Sequence, residues 1–332
     1  MGHLVDRRTL LRAGLGAGAA ALAGFPMRGA WAQSDAVRWA YLVPGFTVLI
    51  ARYMQQKKLG EVPGVGLAAP SEYATVSTYY NDFAAGNYDV CIGSWDVFAQ
   101  RFEAGVPIRM LCTITTASMI SILTGEPSIK GIPDLKGKTL AAPQSTGTFR
   151  MVSSLIKERY GLELGRDINI QGVDNPASSM TMVLANRADA GLSWEPNISA
   201  ALARRKDLSL IFNAGKVYRE ISGGAELPYF GIAVRRELAE RDPERVRRIR
   251  AAFETAINGI IADPKEAVSL VADSAGAPAP VLLDALTSKR LSFRFGSMAS
   301  AEERAQMTKA GEFLKRNGLL KQSIDPGFFI AS

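Results

Sequence analysis

The sequence predicts an α/β protein of two lobes, each a mainly parallel sheet flanked by helices, with hinge crossovers between the lobes. Three observations point there. From Val37 to Arg235 short apolar runs alternate with amphipathic stretches, the pattern of strands covered by helices. Beyond Arg236 the pattern becomes helix upon helix. The 332 residues leave enough chain for two cores once an N-terminal leader is set aside.

That leader is residues 1–32. Asp6-Arg7-Arg8-Thr9-Leu10-Leu11-Arg12 precedes the Ala/Gly/Leu-rich run Ala13–Gly24, and Ala30-Trp31-Ala32 follows it. A charged start, a short apolar centre and a small-x-small cleavage site make an export signal. The pair Arg7-Arg8 resembles the twin-arginine type, which places the mature chain in the periplasm. The run is too short and too rich in Gly for a lasting membrane span. No other apolar run approaches that length, so no span is expected in the mature chain.

After the leader the expected strands are 37–43, 66–69, 89–92, 108–113, 121–124, 139–142, 169–171, 188–192, 208–212 and 230–234. Helix-like segments fill most gaps, at 48–57, 73–85, 97–104, 148–160, 177–186 and 198–205. Asp242-Pro243-Glu244 starts a further helix whose buried stripe is Val246, Ile249, Phe253, Ile257 and Ile260. Arg245, Arg247, Arg248 and Arg250 then fall mainly on its solvent side. The expected division is residues 33–117 with 238–332 as lobe 1 and 118–237 as lobe 2, crossovers lying near Ser118–Pro127 and Leu227–Arg235.

Charge and composition exclude several functions. The chain carries a formal charge of +7; Arg7, Arg8, Arg12 and Arg28 against Asp6 account for three of those charges, leaving four. That excess is too mild for a nucleic-acid partner. The one histidine, His3, leaves with the signal. The mature chain therefore has no Ser–His or Cys–His nucleophile and no His-ligated metal centre. Binding is favoured over catalysis, with no cofactor expected. Cys91 and Cys112 lie in apolar strand-like runs and read as small buried hydrophobes, a disulfide between them being the alternative.

Open α/β sheets bind ligands at the carboxyl ends of their strands. Four strand ends here carry small, hydroxyl or aromatic residues just before a helix. They are Pro44-Gly45-Phe46, Gly93-Ser94-Trp95-Asp96, Gln144-Ser145-Thr146-Gly147-Thr148 and Ser193-Trp194-Glu195-Pro196. The Gln144–Thr148 loop has one Gly and no Lys, which argues against a nucleotide loop. It reads either as a helix cap or as a hydrogen-bonding cradle for a small ligand. The recurrence of such ends favours a shared cleft. The candidate ligand-binding residues are Gly45, Phe46, Ser94, Trp95, Asp96, Gln144, Ser145, Thr146, Thr148, Trp194, Glu195 and Tyr229; no catalytic residue or metal ligand is proposed.

Several motifs resemble those of a known family. Tyr41-Leu-Val-Pro-Gly45, Phe83-Ala-Ala-Gly-Asn-Tyr-Asp-Val-Cys-Ile-Gly93, Gly105-Val-Pro-Ile108, Ile132-Pro-Asp-Leu-Lys-Gly-Lys-Thr-Leu-Ala-Ala-Pro143, Asn186-Arg-Ala-Asp-Ala190 and Trp194-Glu-Pro196 look like solute-binding proteins of ABC importers. The type is that of nitrate, sulfonate and taurine, which also includes binders of thiamine-pyrimidine precursors. The resemblance implies a type II periplasmic-binding-protein fold whose lobes close like a hinge on a small molecule. It implies an ABC permease and ATPase as partners and a monomeric receptor. In the pyrimidine-synthase relatives a histidine takes part in the chemistry, and this mature chain has none. The candidate residues mix aromatics, hydroxyls and carboxylates, which suits an organic solute of sulfonate, carboxylate or heteroaromatic type better than a bare inorganic anion. An enzyme on the same fold (a carboxylate-dependent lyase or synthase) and the sensing partner of a non-ABC system are the alternatives.

Overall fold

Two mixed sheets organise the chain in a computed structural model that describes residues 36–271 and 275–331. The leader, with His3, Arg7, Arg8 and Trp31, lies outside the described residues. The first sheet contains β1 (Trp39–Leu42), β2 (Ser71–Tyr73), β3 (Val90–Ser94), β4 (Ile108–Thr115), β10 (Phe230–Arg235) and β11 (Phe293–Ser297), in the order β11-β4-β10-β3-β1-β2. The second contains β5 (Ile120–Thr124), β6 (Thr139–Ala142), β7 (Asn169–Gly172), β8 (Ala190–Trp194) and β9 (Ser209–Asn213), in the order β7-β6-β8-β5-β9. The chain crosses between the sheets twice, from β4 to β5 and from β9 back to β10. Residues from Ala36 onward form one compact unit.

Strands linked by helical crossovers pair in parallel: β1 with β2 and β3, and β6 with β7 and β8. The strand entered after each sheet-to-sheet passage, β5 or β10, runs the other way, as does β11. β10 is antiparallel to β3 and β4, and β5 is antiparallel to β8 and β9. Each sheet is therefore mixed but mainly of one direction, shared by β1, β2, β3 and β4 in the first and by β6, β7, β8 and β9 in the second. A strand that re-enters a sheet from the neighbouring one arrives without a covering crossover helix, which parallel pairing requires.

Most expected helices form within a few residues: α1 (Thr47–Gln56), α2 (Val76–Ala85), α3 (Trp95–Glu103), α4 (Gly147–Tyr160), α5 (Pro176–Leu184) and α6 (Asn197–Arg204). The strand expected at 66–69 is reduced to one bridge, Val37 to Leu67. The chain instead pairs Ser71–Tyr73 with β1, taking the first residue of the stretch expected to be α2. Pro70, which has no amide hydrogen to offer, separates the two segments. A helix not expected, α7 (Ala214–Ser222), follows β9, and α8 (Arg236–Arg241) follows β10.

The C-terminal part holds α9 (Pro243–Ala262), α10 (Pro264–Ser269), α11 (Ala279–Thr287) and α12 (Ala301–Arg316). Asp242 caps α9, accepting from the Arg245 amide, with Pro243 in the first turn. Val246, Ile249, Phe253, Ile257 and Ile260 are all buried, and Arg247 and Arg248 are exposed. Trp39 packs edge-on to Phe253 at 5.7 Å, so β1 and α9 share one core. β11 interrupts the helices and joins the first sheet beside β4, a correction to the helices-only reading. Cys91 and Cys112 are free and buried, which removes the disulfide alternative; burial pushes the Cys91 thiol up to about 12.

Candidate functional site

Tyr229 is where the strand ends meet. It stands at the return into the first sheet, 2% exposed, with its hydroxyl 2.8 Å from Thr148 Oγ1 in the first turn of α4. Its ring lies edge-on to Trp194 at 6.4 Å and to Phe230 at 4.8 Å. Phe230 in turn meets Phe46 at 4.8 Å, and Phe46 meets Phe293 at 6.1 Å. A chain of aromatic rings thus runs from the end of β1 to the end of β8. Edge-to-face contacts of this kind add about 0.5–1.5 kcal/mol each beyond the area they bury.

Trp95 supports that cluster from behind. It is fully enclosed, its indole N–H donating to the Pro228 carbonyl at 2.6 Å and its amide to the Tyr229 carbonyl at 3.1 Å. Gly93, one residue before the end of β3, leaves room for Tyr80 and Phe98; a Cβ there would lie 2.8 Å from both rings. The Tyr80 hydroxyl then accepts the Ser94 amide at 2.7 Å, pinning the strand end.

Asp96 is 3% exposed and accepts from the Ser94 hydroxyl. Its Oδ2 lies so close to Gly147, at the start of α4, that a Cβ on Gly147 would be 2.2 Å away. Burial raises the Asp96 pKa; the Ser94 bond and the charge of Arg150 oppose the rise. Glu195 occupies the matching place after β8, 1% exposed. Its Oε2 accepts the Ser199 amide at 3.1 Å, while Oε1 has no hydrogen-bond partner. Arg290, between α11 and β11, brings its Nε to 3.6 Å from that oxygen and donates to Ser199 Oγ at 3.1 Å. Burial raises the Glu195 pKa as well, against the pull of Ser199 and Arg290.

The Gln144–Thr148 loop divides its work. Thr146 caps α4, accepting from the Phe149 amide at 3.2 Å and donating to the Pro143 carbonyl at 2.8 Å. Thr148 turns inward to Tyr229. Gln144 and Ser145 are exposed, Gln144 lying over Gly172 at the end of β7, and Gly45 is partly exposed. Of the twelve candidates, contacts link Phe46, Ser94, Trp95, Asp96, Thr148, Trp194 and Tyr229, while Glu195 meets Ser199 and Arg290 instead. Phe230 and Phe293 join the cluster, and Arg290 joins Glu195, without having been expected. Alternation in Leu291-Ser-Phe-Arg-Phe295 is the signal that would have found β11 and Phe293.

A family model described as NMT1/THI5 like matches residues 65–267, more than half of the chain. The chain belongs to the NMT1/THI5-like family. Among solved structures, this family member is similar to the periplasmic aliphatic sulphonate binding protein SsuA of Escherichia coli. Identity is 19% and the TM-score 0.71, over 88% of this chain and 90% of that one. The alkanesulfonate-binding protein SsuA of Xanthomonas axonopodis pv. citri, solved bound to MOPS, gives 18% identity and a TM-score of 0.68 over 87% and 95%. An ABC transporter structure from Parabacteroides distasonis gives 10% and 0.66 over 89% and 98%. These likenesses establish the periplasmic-binding-protein fold that the sequence motifs implied. No curated protein sequence matches the chain.

Proposed function

We propose that this NMT1/THI5-like protein is an exported solute-binding receptor that captures a small organic molecule between two lobes and hands it to an ABC import permease with its ATPase. The lobes are residues 33–117 with 238–332 and residues 118–237, joined by the two passages between the sheets. The receptor acts in the periplasm as a monomer, without cofactor and without turnover of its ligand; the Arg7-Arg8 leader supports the twin-arginine route.

The observation that carries this reading is the meeting of strand ends from both sheets at Tyr229, with Thr148 and Trp194 on one side and Phe46, Trp95 and Phe230 on the other. Aromatic walls with a few fixed polar groups suit an organic ligand. The test is native mass spectrometry of the protein isolated from the periplasm. One intact small molecule per chain is the expected result. A bound molecule that is converted on incubation would replace the receptor by an enzyme.

A further inference from the structure

Helix α6 faces two different neighbours. Ile198 and Ala201 pack into an apolar cluster of the second half's own, with Leu123, Met180 and Val183. Ser199, between them in sequence, is 2% exposed and turns elsewhere. Its Oγ accepts from Arg290 Nε at 3.1 Å. Arg290 lies between α11 and β11, and β11 belongs to the first sheet, so this side chain crosses from one half to the other. The same Nε stands 3.6 Å from Glu195 Oε1, near enough for attraction and too far for a hydrogen bond. Among the described residues nothing donates to Oε1. A join made by polar contacts, with one acceptor left unfilled, is what is expected between parts that move against each other rather than within a fixed core.

A second arginine bridges the halves on α12. Arg316 donates through Nε and Nη2 to Glu158 of α4 at 2.7 and 2.8 Å. That pair is wetter: its side chains are 49% and 23% exposed, against 28% and 1% for Arg290 and Glu195. Water competes for it, so it holds little.

We propose that Arg290 is the latch of the receptor: it holds the closed form by gripping Ser199 and Glu195, and the unfilled acceptor on Glu195 keeps that grip weak enough to release. This concerns the regulation of the proposed site and rests on the receptor reading. In the closed form Oε1 is attracted to the guanidinium but has no hydrogen bond; on opening, water supplies one. The lost charge contact and the regained hydration oppose each other, which leaves the two forms close in free energy. A solute that touches both halves then needs only a modest preference for the closed form to decide between them.

The test is the distance between nitroxide labels on Ser77→Cys and Ala177→Cys, read by double electron–electron resonance. The full mature protein is freed of bound molecules by unfolding, refolded and then labelled. Both positions are exposed, at the starts of α2 and α5, which follow and precede no passage between the sheets and stand beside the edge strands β2 and β7. Cys91 and Cys112 are buried, so the labels go to the introduced thiols. The parent should show a short distance matching this structure. Arg290→Met should lower the ratio of short to long distances by roughly tenfold or more, as loss of a charge contact to a buried carboxylate implies. Ser199→Ala, which leaves both charges in place, should lower it less, and Arg316→Met should leave it unchanged. No short distance in the parent, an unchanged ratio in Arg290→Met, or an equal fall in Arg316→Met overturns the latch. Should Arg290→Met fail to refold, Ser199→Ala decides, and an unchanged ratio there overturns it. No solute enters this experiment, so a failure of the receptor reading shows separately, in the native mass spectrum.

Discussion

Arg290→Met tests whether the C-terminal segment holds the second half of the molecule through charge. Glu195 is 1% exposed and has one oxygen, Oε1, with no hydrogen-bond partner. The Arg290 Nε at 3.6 Å is the cation that faces it. At that distance the gross attraction is about 5 kcal/mol for an effective dielectric of 20. Two facts lower the net value: the Arg290 side chain is 28% exposed, and it is shared with Asp284. Removing one partner of a fully buried pair costs about 3–5 kcal/mol, so the partly exposed Arg290 should give roughly 1–3 kcal/mol.

Urea unfolding at pH 7.5 measures this for Arg290→Met, Glu195→Gln and the double variant. Glutamine can still accept the Ser199 amide, so Glu195→Gln should cost less than Arg290→Met. The double variant should fall short of the sum by about 1 kcal/mol or more, beyond the roughly 0.3–0.5 kcal/mol seen for independent sites. The penalty belongs to the ionised Glu195, whose pKa burial already raises, so it should shrink as the pH falls towards 4.5. Additive single effects, or a penalty independent of pH, would show that the two residues are neighbours without being partners.

Four further outcomes follow from the same geometry. Tyr229→Phe strands the buried Thr148 hydroxyl and should cost about 1–3 kcal/mol in urea unfolding, with Thr148→Val recovering part of it in the double variant. Burial holds the folded-state pKa of Asp96 above its ordinary 3.8, so stability tied to its neutral form is complete below that value and is lost as pH rises through the folded value. Asp96→Asn should therefore melt higher than the parent near neutral pH, by a margin that closes towards pH 4; a margin constant with pH would refute this. Trp95 is enclosed and Trp194 partly exposed, so Trp194→Phe should remove most of the fluorescence change on ligand binding, while a change surviving undiminished would place the ligand elsewhere. Arg7→Lys with Arg8→Lys should leave the precursor in the cytoplasm by cell fractionation, and normal export would assign the general secretory route.

What the sequence revealed follows from how local each signal is. β3, Gly93 and α3 were legible because an apolar run, a small residue and an amphipathic stretch follow one another within a few positions. α9 was legible because Asp242-Pro243 marks its start and its apolar stripe repeats every three or four residues. β2 was not, because Ser71–Tyr73 becomes a strand only through pairing with β1, and its composition reads as well for a helix start. β11 was hidden among helices although its alternation was available. The reversed direction of β5 and β10 depends on the chain's having come from the other sheet, which no local pattern records. For the candidate site, residue types singled out Tyr229, Thr148 and Trp194, which the fold brings into contact, but not the placing of Asp96 against Gly147 or of Arg290 against Glu195. Those contacts join positions 51 and 95 residues apart, and only the folded chain brings them together.

Hydrogen–deuterium exchange with and without the co-purified molecule tests the central claim most directly. The protein is stripped of its ligand by unfolding and refolding, then reloaded. Reloading should slow exchange together at the ends of β3 and β8, at the start of α4 and at Pro228–Phe230, since the ligand is held by both halves at once. Protection confined to one sheet, or absent from these four segments, would contradict a site shared between them.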